Sequence, residues 1–248
     1  VGAIHKYKPT VVINAAAYTS VDKAEDEKEL VMRVNGHAPA RMIKTCSELN
    51  IPFVHISTDY VFEGTGTNAW KPSDPTNPQN VYGISKKFAE QAIVNSGAIY
   101  AILRTSWVVS SSGNNFVKTM LQLSKSRHSL NVISDQIGGP TPARDIANAC
   151  IEVAEQLIHD PKKTGIYHFS GAPDVSWYNF AKVIFDLAGR KIAVFPILTS
   201  DYPTKAKRPL NSRLDCNLIE NTFNLSRPFW RDGLKDILIE LENKSETT

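Results

Sequence analysis

Phe53-Val54-His55-Ile56-Ser57-Thr58-Asp59-Tyr60-Val61-Phe62, followed by Tyr82-Gly83-Ile84-Ser85-Lys86, is the stretch that decides the fold. Phe53 to Ser57 is a short, mainly apolar run that reads as a buried strand. Residues 62–79 are rich in Gly, Pro, Asn, Thr and Asp and must be loop. A helix is expected from about Tyr82 to Asn95. Strand, loop and helix in that order form one unit of an alternating α/β chain.

The same alternation extends in both directions. Upstream, Thr10 to Ala15 is an apolar run with β-branched residues and reads as a strand; charged helices are expected over Val21 to Asn35 and Pro39 to Leu49. Downstream come a strand at Tyr100 to Arg104, a helix at Asn115 to Ser126 and a strand at Leu130 to Ile133. A long helix from Pro142 to His159 opens on a residue favoured in first turns. Then follow a strand at Tyr167 to Phe169, a helix at Ser176 to Leu187 capped by Ser176, and helices at Asp215 to Phe223 and Arg231 to Leu241. This alternation predicts a parallel sheet with helices on both faces. Residues 1–135 are read as the sheet core. Residues 136–248 are read mainly as a smaller lobe over the strand ends, with some elements returning to the core.

Composition excludes several classes. With 248 residues, 42% hydrophobic and 21% charged, the chain can bury a sizeable core without staples. A net charge of +3 with scattered basic residues offers no patch for nucleic acid. No apolar run is long enough to span a membrane, and the N-terminus is no signal peptide. Cys46, Cys150 and Cys216 are isolated and read as reduced core residues, and the six histidines show no metal-ligand spacing. The sequons at residues 224–226 and 243–245 carry little weight, and a cytoplasmic location is expected.

The chemistry lies in Tyr82-x-x-x-Lys86. Residues four apart share one helical face, so phenol and ammonium can serve one site. A free tyrosine ionises near about pH 10, and a cation held beside it favours the phenolate. A phenol tuned in this way can donate a proton to a carbonyl oxygen while hydride arrives at carbon. Thr58 ends an apolar strand, where ligands gather in open α/β sheets, and its hydroxyl can bond the same oxygen. Small alanines after the strand, in Val12-Ile13-Asn14-Ala15-Ala16-Ala17-Tyr18-Thr19, let a flat ligand approach the backbone; tight helix–sheet packing would use them equally well.

Together these stretches resemble the dTDP-4-dehydrorhamnose reductases, extended short-chain dehydrogenases/reductases that reduce the 4-keto group of a dTDP-6-deoxyhexulose. The likeness runs through Asn-Ala-Ala-Ala-Tyr-Thr at 14–19, Ser-Thr-Asp-Tyr-Val-Phe at 57–62 and Val-Tyr-Gly-x-Ser-Lys at 81–86. It continues in Leu-Arg-Thr-Ser-Trp at 103–107, Asn-Phe-Val at 115–117, Asp-Gln-x-Gly-x-Pro-Thr at 135–141 and Arg-Pro-x-Asn-Ser at 208–212. The resemblance implies a Rossmann-like doubly wound sheet with a small C-terminal substrate-binding lobe. It implies catalysis by Thr58, Tyr82 and Lys86, with Tyr82 as proton donor and Lys86 holding the nicotinamide ribose. Ala15, Ala16, Ala17, Tyr18 and Thr19, with Tyr82 and Lys86, would line the cofactor. Thr19, Val21, Thr58, Asp59, Tyr60, Trp107 and Arg208 would meet the dTDP-sugar. Trp107 could equally be core, Arg208 could equally lie at the surface, and Asn115 and Gln136 are weaker candidates.

One family feature is missing. No glycine-rich turn follows a strand here: Gly64-Thr65-Gly66 lies in a polar loop and Gly138-Gly139 opens no helix. The chain opens at Val1 in what reads as the tail of a helix, so the first βα unit is expected to be missing and the chain alone to bind NAD(P)H poorly. The residue that would tell NADPH from NADH falls in that unit. A homodimer and a bound Mg²⁺ are compatible with the sequence, which is silent on both. Two other readings remain: a different extended nucleotide-sugar reductase or epimerase, and a non-catalytic regulatory subunit resembling that of methionine adenosyltransferase. The presence of Thr58, Tyr82 and Lys86 together favours the enzyme.

Overall fold

In the computed structural model, which describes residues 1–246, four parallel strands form the central sheet. These are β1 (Val12–Asn14), β2 (Phe53–Thr58), β3 (Tyr100–Thr105) and β4 (Gly165–His168), lying side by side in that order. The strand period of two sends neighbouring side chains to opposite faces. Phe53 and Ile102 pack on one face with Ile43, Cys46 and Ile93, whereas Val54 and Leu103 pack on the other with Ala149, Val153 and Leu157. Both faces are therefore covered, and each fully buried aliphatic side chain contributes about 1.5–3 kcal/mol. All three cysteines are free and buried.

The helices that cover the sheet are α1 (Ala38–Glu48) and α2 (Val81–Val94) on the first face and α3 (Ala143–His159) on the second. The sequence reading places one helix over Val21 to Asn35 and starts the next, α1, at Pro39, with a break between them. The structure instead runs without interruption from a short helix, Lys28–Val31, through a π-helical turn, Met32–His37, into α1. Pro39 has no amide hydrogen and its ring crowds the carbonyl four residues back, which the wider turn absorbs. The turn also holds Asn35, fully buried, against the backbone of Tyr18.

A second core lies beyond the strand ends. Its strand Ser129–Ile133 pairs in parallel with Ala193–Ile197, an exposed strand without a clear pattern that the sequence reading leaves as loop. Helices Phe116–Leu123, α4 (Trp177–Leu187) and α5 (Trp230–Glu246) pack around Phe180, Ile184 and Trp230. A division at residue 135 does not separate the two cores. Phe116–Leu123 and Ser129–Ile133 lie in the second, while α3 and β4 belong to the sheet. No helix is long and apolar enough among the described residues to cross a membrane.

Candidate active site

The C-terminal ends of β2 and β3 lie in register, with Thr58 opposite Thr105, and a cleft of about 790 Å³ opens above them. After β1 alternate residues face the cleft: Ile13, Ala15, Ala17 and Thr19 line it. Ala16 and Tyr18 are not among the residues that line it. The Tyr18 hydroxyl donates to Glu27 Oε2 at 2.6 Å, so neither residue lines the cleft as expected. Val21, Thr58, Asp59, Tyr60, Tyr82, Lys86, Trp107 and Arg208 all do.

Helix α2 brings Tyr82 and Lys86 to the floor. Its first turn is capped by Asn80, whose Oδ1 accepts the Gly83 amide at 2.8 Å, and the Val81 amide donates to Glu25. Gly83 is required for this approach: a Cβ there would lie 2.2 Å from the Tyr60 carbonyl oxygen. The Tyr60 and Tyr82 rings meet edge to face with centroids 5.6 Å apart.

The electrostatics differ from the sequence argument. The Tyr82 ring is half-buried, and its phenol is pushed up to about 12 by burial and then by the Asp59 charge, with the nearby Thr58 hydroxyl opposing them. Lys86 does not lower it. Its amine, buried and itself brought down to about 8 by burial, points to the Ile56 carbonyl at 2.6 Å and to His55 Nε2 at 3.2 Å. Burial likewise lifts the Asp59 carboxyl to about 6, against the nearby hydroxyls of Ser212 and Thr58. Thr58 Oγ1 donates to Asp59 Oδ1 at 3.1 Å and accepts the Tyr60 amide at 3.2 Å. Asp59 Oδ2 and Thr105 Oγ1 are buried beside the cleft with no partner. Unpaired buried groups of this kind are uncommon and fit a site that receives a polar ligand.

The far wall belongs to the second core. Trp107 adopts a left-handed backbone (φ 49°), an uncommon state for a residue with a side chain. Its indole stacks on Trp177 with centroids 3.4 Å apart. Gln136 lies outside the cleft lining; its Oε1 accepts the Trp177 indole N–H at 3.2 Å and so orients the pair. Asn115 instead caps the helix Phe116–Leu123 through its own side chain. Arg208 is half-buried and paired. It forms a two-pronged contact with Asp22, at 3.1 and 2.5 Å, which closes the side of the cleft next to Thr19 and Val21.

Sequence reasoning misses Asn14, His55, Asn35, Thr105, Phe116 and Trp177. The first two stand in otherwise apolar strands, and a polar residue at a buried strand position is the signal that would have found them.

A parallel sheet covered by helices on both faces, with its cleft over the carboxyl ends of the strands, defines a Rossmann-like α/β protein. The model of the RmlD substrate binding domain matches residues 2–243. The dTDP-4-dehydrorhamnose reductase of Aggregatibacter actinomycetemcomitans is 46% identical over 241 residues, covering 94% of this chain and 82% of that protein. That of Salmonella typhimurium is 41% identical over 96% of this chain and 82% of its own. Among solved structures, the dTDP-4-dehydrorhamnose reductase of Clostridium acetobutylicum superposes with a TM-score of 0.91 at 36% identity, covering 97% of this chain and 84% of that one. The Bacillus anthracis enzyme, solved in complex with NADP, gives 0.89 at 36% identity over 96% and 83%. The chain belongs to the dTDP-4-dehydrorhamnose reductase family.

Proposed function

We propose that the chain reduces the 4-keto group of dTDP-4-dehydro-L-rhamnose to give dTDP-L-rhamnose, with a reduced nicotinamide as second substrate. The observation that carries this reading is the gathering of Thr58, Tyr82 and Lys86 on one cleft floor. Family membership supports it.

The residues fit such a cofactor at its nicotinamide end. Ala15 and Ala17 present only methyl groups to the cleft, which leaves room for a flat ring beside the strand ends. Lys86 and Tyr82 would hold the ribose. When bound, the reduced nicotinamide supplies the hydride. Tyr82 supplies the proton: a phenol held near 12 is fully protonated at neutral pH, yet remains a stronger acid than the alcohol that forms. Thr58 Oγ1 orients the carbonyl oxygen toward it. Asp59, Tyr60 and Thr105 offer the sugar hydroxyls polar partners, and the unpaired Asp59 oxygen and Thr105 hydroxyl support that role. Arg208 meets the diphosphate as a planar two-pronged donor once it leaves Asp22, and Trp107 borders the far end of the cleft.

The test supplies purified protein with dTDP-4-dehydro-L-rhamnose and NADPH or NADH. The reading expects loss of reduced-nicotinamide absorbance, formation of dTDP-L-rhamnose on chromatography, and loss of both in Tyr82→Phe. Turnover unchanged in Tyr82→Phe, or reduction only of a keto-sugar carried on another nucleotide, overturns it.

A further inference from the structure

Beneath the cleft, three buried side chains form a wire with an internal conflict. Asn14 Oδ1 accepts the Ala16 N–H at 3.2 Å, which fixes the orientation of its amide. Its Nδ2 therefore faces His55 Nδ1 at 3.0 Å. An amide NH₂ only donates, so Nδ1 offers its lone pair and the single ring hydrogen of neutral His55 sits on Nε2. Nε2 faces Lys86 Nζ at 3.2 Å. An ammonium has donors only, so a charged Lys86 would set N–H against N–H. The contact is a hydrogen bond when Lys86 is the neutral amine, accepting from Nε2–H and donating to the Ile56 carbonyl.

We propose that Asn14 and His55 are positioning residues for Lys86, fixing through a single imidazole tautomer whether its amine carries two protons or three. The inference rests on the catalytic reading of Lys86 given above. His55 is fully buried, and burial followed by the nearby Lys86 charge holds it well below the ordinary histidine range, so the ring does not relieve the conflict by charging. The titratable groups around Lys86 are His55 on β2, Tyr82 one turn before it and Glu90 one turn after it; the Glu90 charge is committed to Arg104 on β3. For Lys86 to take a third proton from solvent, the ring hydrogen must move from Nε2 to Nδ1. The Asn14 amide must then rotate to accept it, and the Ala16 N–H loses its acceptor. The charge of Lys86 is thereby coupled to the backbone between the two cleft-lining alanines, Ala15 and Ala17.

The experiment reads the tautomer of His55 by ¹⁵N and ¹³C NMR and the pH profile of kcat. The unsubstituted protein is expected to show hydrogen on Nε2. In Asn14→Asp, one carboxylate oxygen keeps the Ala16 N–H and the other accepts Nδ1–H. The tautomer inverts, and the limb of the profile due to Lys86 rises by about one pH unit or more, with KM for the dTDP-sugar unchanged. Aspartate also adds a charge, so His55→Gln is the partner variant: it offers Lys86 an amide oxygen, adds no charge, and is expected to raise the same limb. It also carries the test if Asn14→Asp fails to fold. Hydrogen on Nδ1 in the unsubstituted protein, or a limb unmoved in the folded variants, overturns the proposal. The tautomer is read without turnover, so an inactive protein with Nε2–H would sink the functional reading alone, and an active one with Nδ1–H would sink this inference alone.

Discussion

Glu90 and Lys86 sit one turn apart on α2, both buried against β2, and they are treated in opposite ways. Around Glu90 the hydrogen bonds balance. Oε1 accepts from Ser57 Oγ at 2.5 Å and Arg104 Nε at 3.0 Å, and Oε2 accepts Arg104 Nη2 at 2.7 Å. Arg104 gives a further N–H to the Pro72 carbonyl and lies over the Phe62 ring. Around Lys86, donor faces donor unless one proton leaves. A buried charge whose partners match it in number and geometry is fixed and serves the fold. A buried charge whose partners compete for the same protons remains ready to change state, and such groups cluster where chemistry is done.

Substitutions can break this contrast. The largest effect is expected in Tyr82→Phe. Loss of the proton donor should lower kcat by about 10²–10⁴-fold while chemical denaturation shows little change in stability. Arg104→Met should do the reverse. Leaving Glu90 buried and unpaired costs about 3–5 kcal/mol of unfolding free energy, whereas kcat per folded molecule stays close to the parent value. A comparable loss of kcat in Arg104→Met would erase the distinction between the two sites.

Asp59 sharpens it through pH. Its carboxyl is raised to about 6 in the folded protein and returns to about 3.9 on unfolding, so the folded state holds the proton more tightly. The ionised carboxylate therefore subtracts stability above pH about 6, and the loss is recovered as pH falls toward about 4. Asp59→Asn should raise stability at neutral pH by up to about 3 kcal/mol, with the gain vanishing below pH about 4 in melts across that range. The smallest effect is expected in Asp22→Ala. The Asp22–Arg208 pair is partly exposed and worth no more than about 1 kcal/mol, while release of Arg208 should lower KM for the dTDP-sugar in initial-rate assays.

Much of this was legible in the chain. The alternation of apolar runs with helical patterns carried the sheet, and helix geometry carried Tyr82 and Lys86 to one face. What escaped depends on contacts that spacing does not encode. The electrostatic effect expected of Lys86 on Tyr82 does not appear among the causes of the phenol's shift, because an i, i+4 relation fixes a shared face but not the direction of an amine, and this amine points to the Ile56 carbonyl and the His55 ring. Ala16 and Tyr18 are placed with the cleft by motif, which does not encode that only every second residue of this stretch lines it. The strand Ala193–Ile197 had no signal because its partner, Ser129–Ile133, is far off in sequence and most of its side chains are exposed or half-buried.

The π-turn at Met32–His37 has a consequence for chain length. A turn of this kind holds one residue more than an α-helix would use, so deleting a single residue there would leave an ordinary, continuous rod. Such a rod would nonetheless be re-phased: Asn35 would swing about 100° around the axis and lose both of its bonds to the Tyr18 backbone. The clasp on the alanine segment thus depends on a count of residues, and a deletion harmless to helix content would unfasten the edge of the cleft.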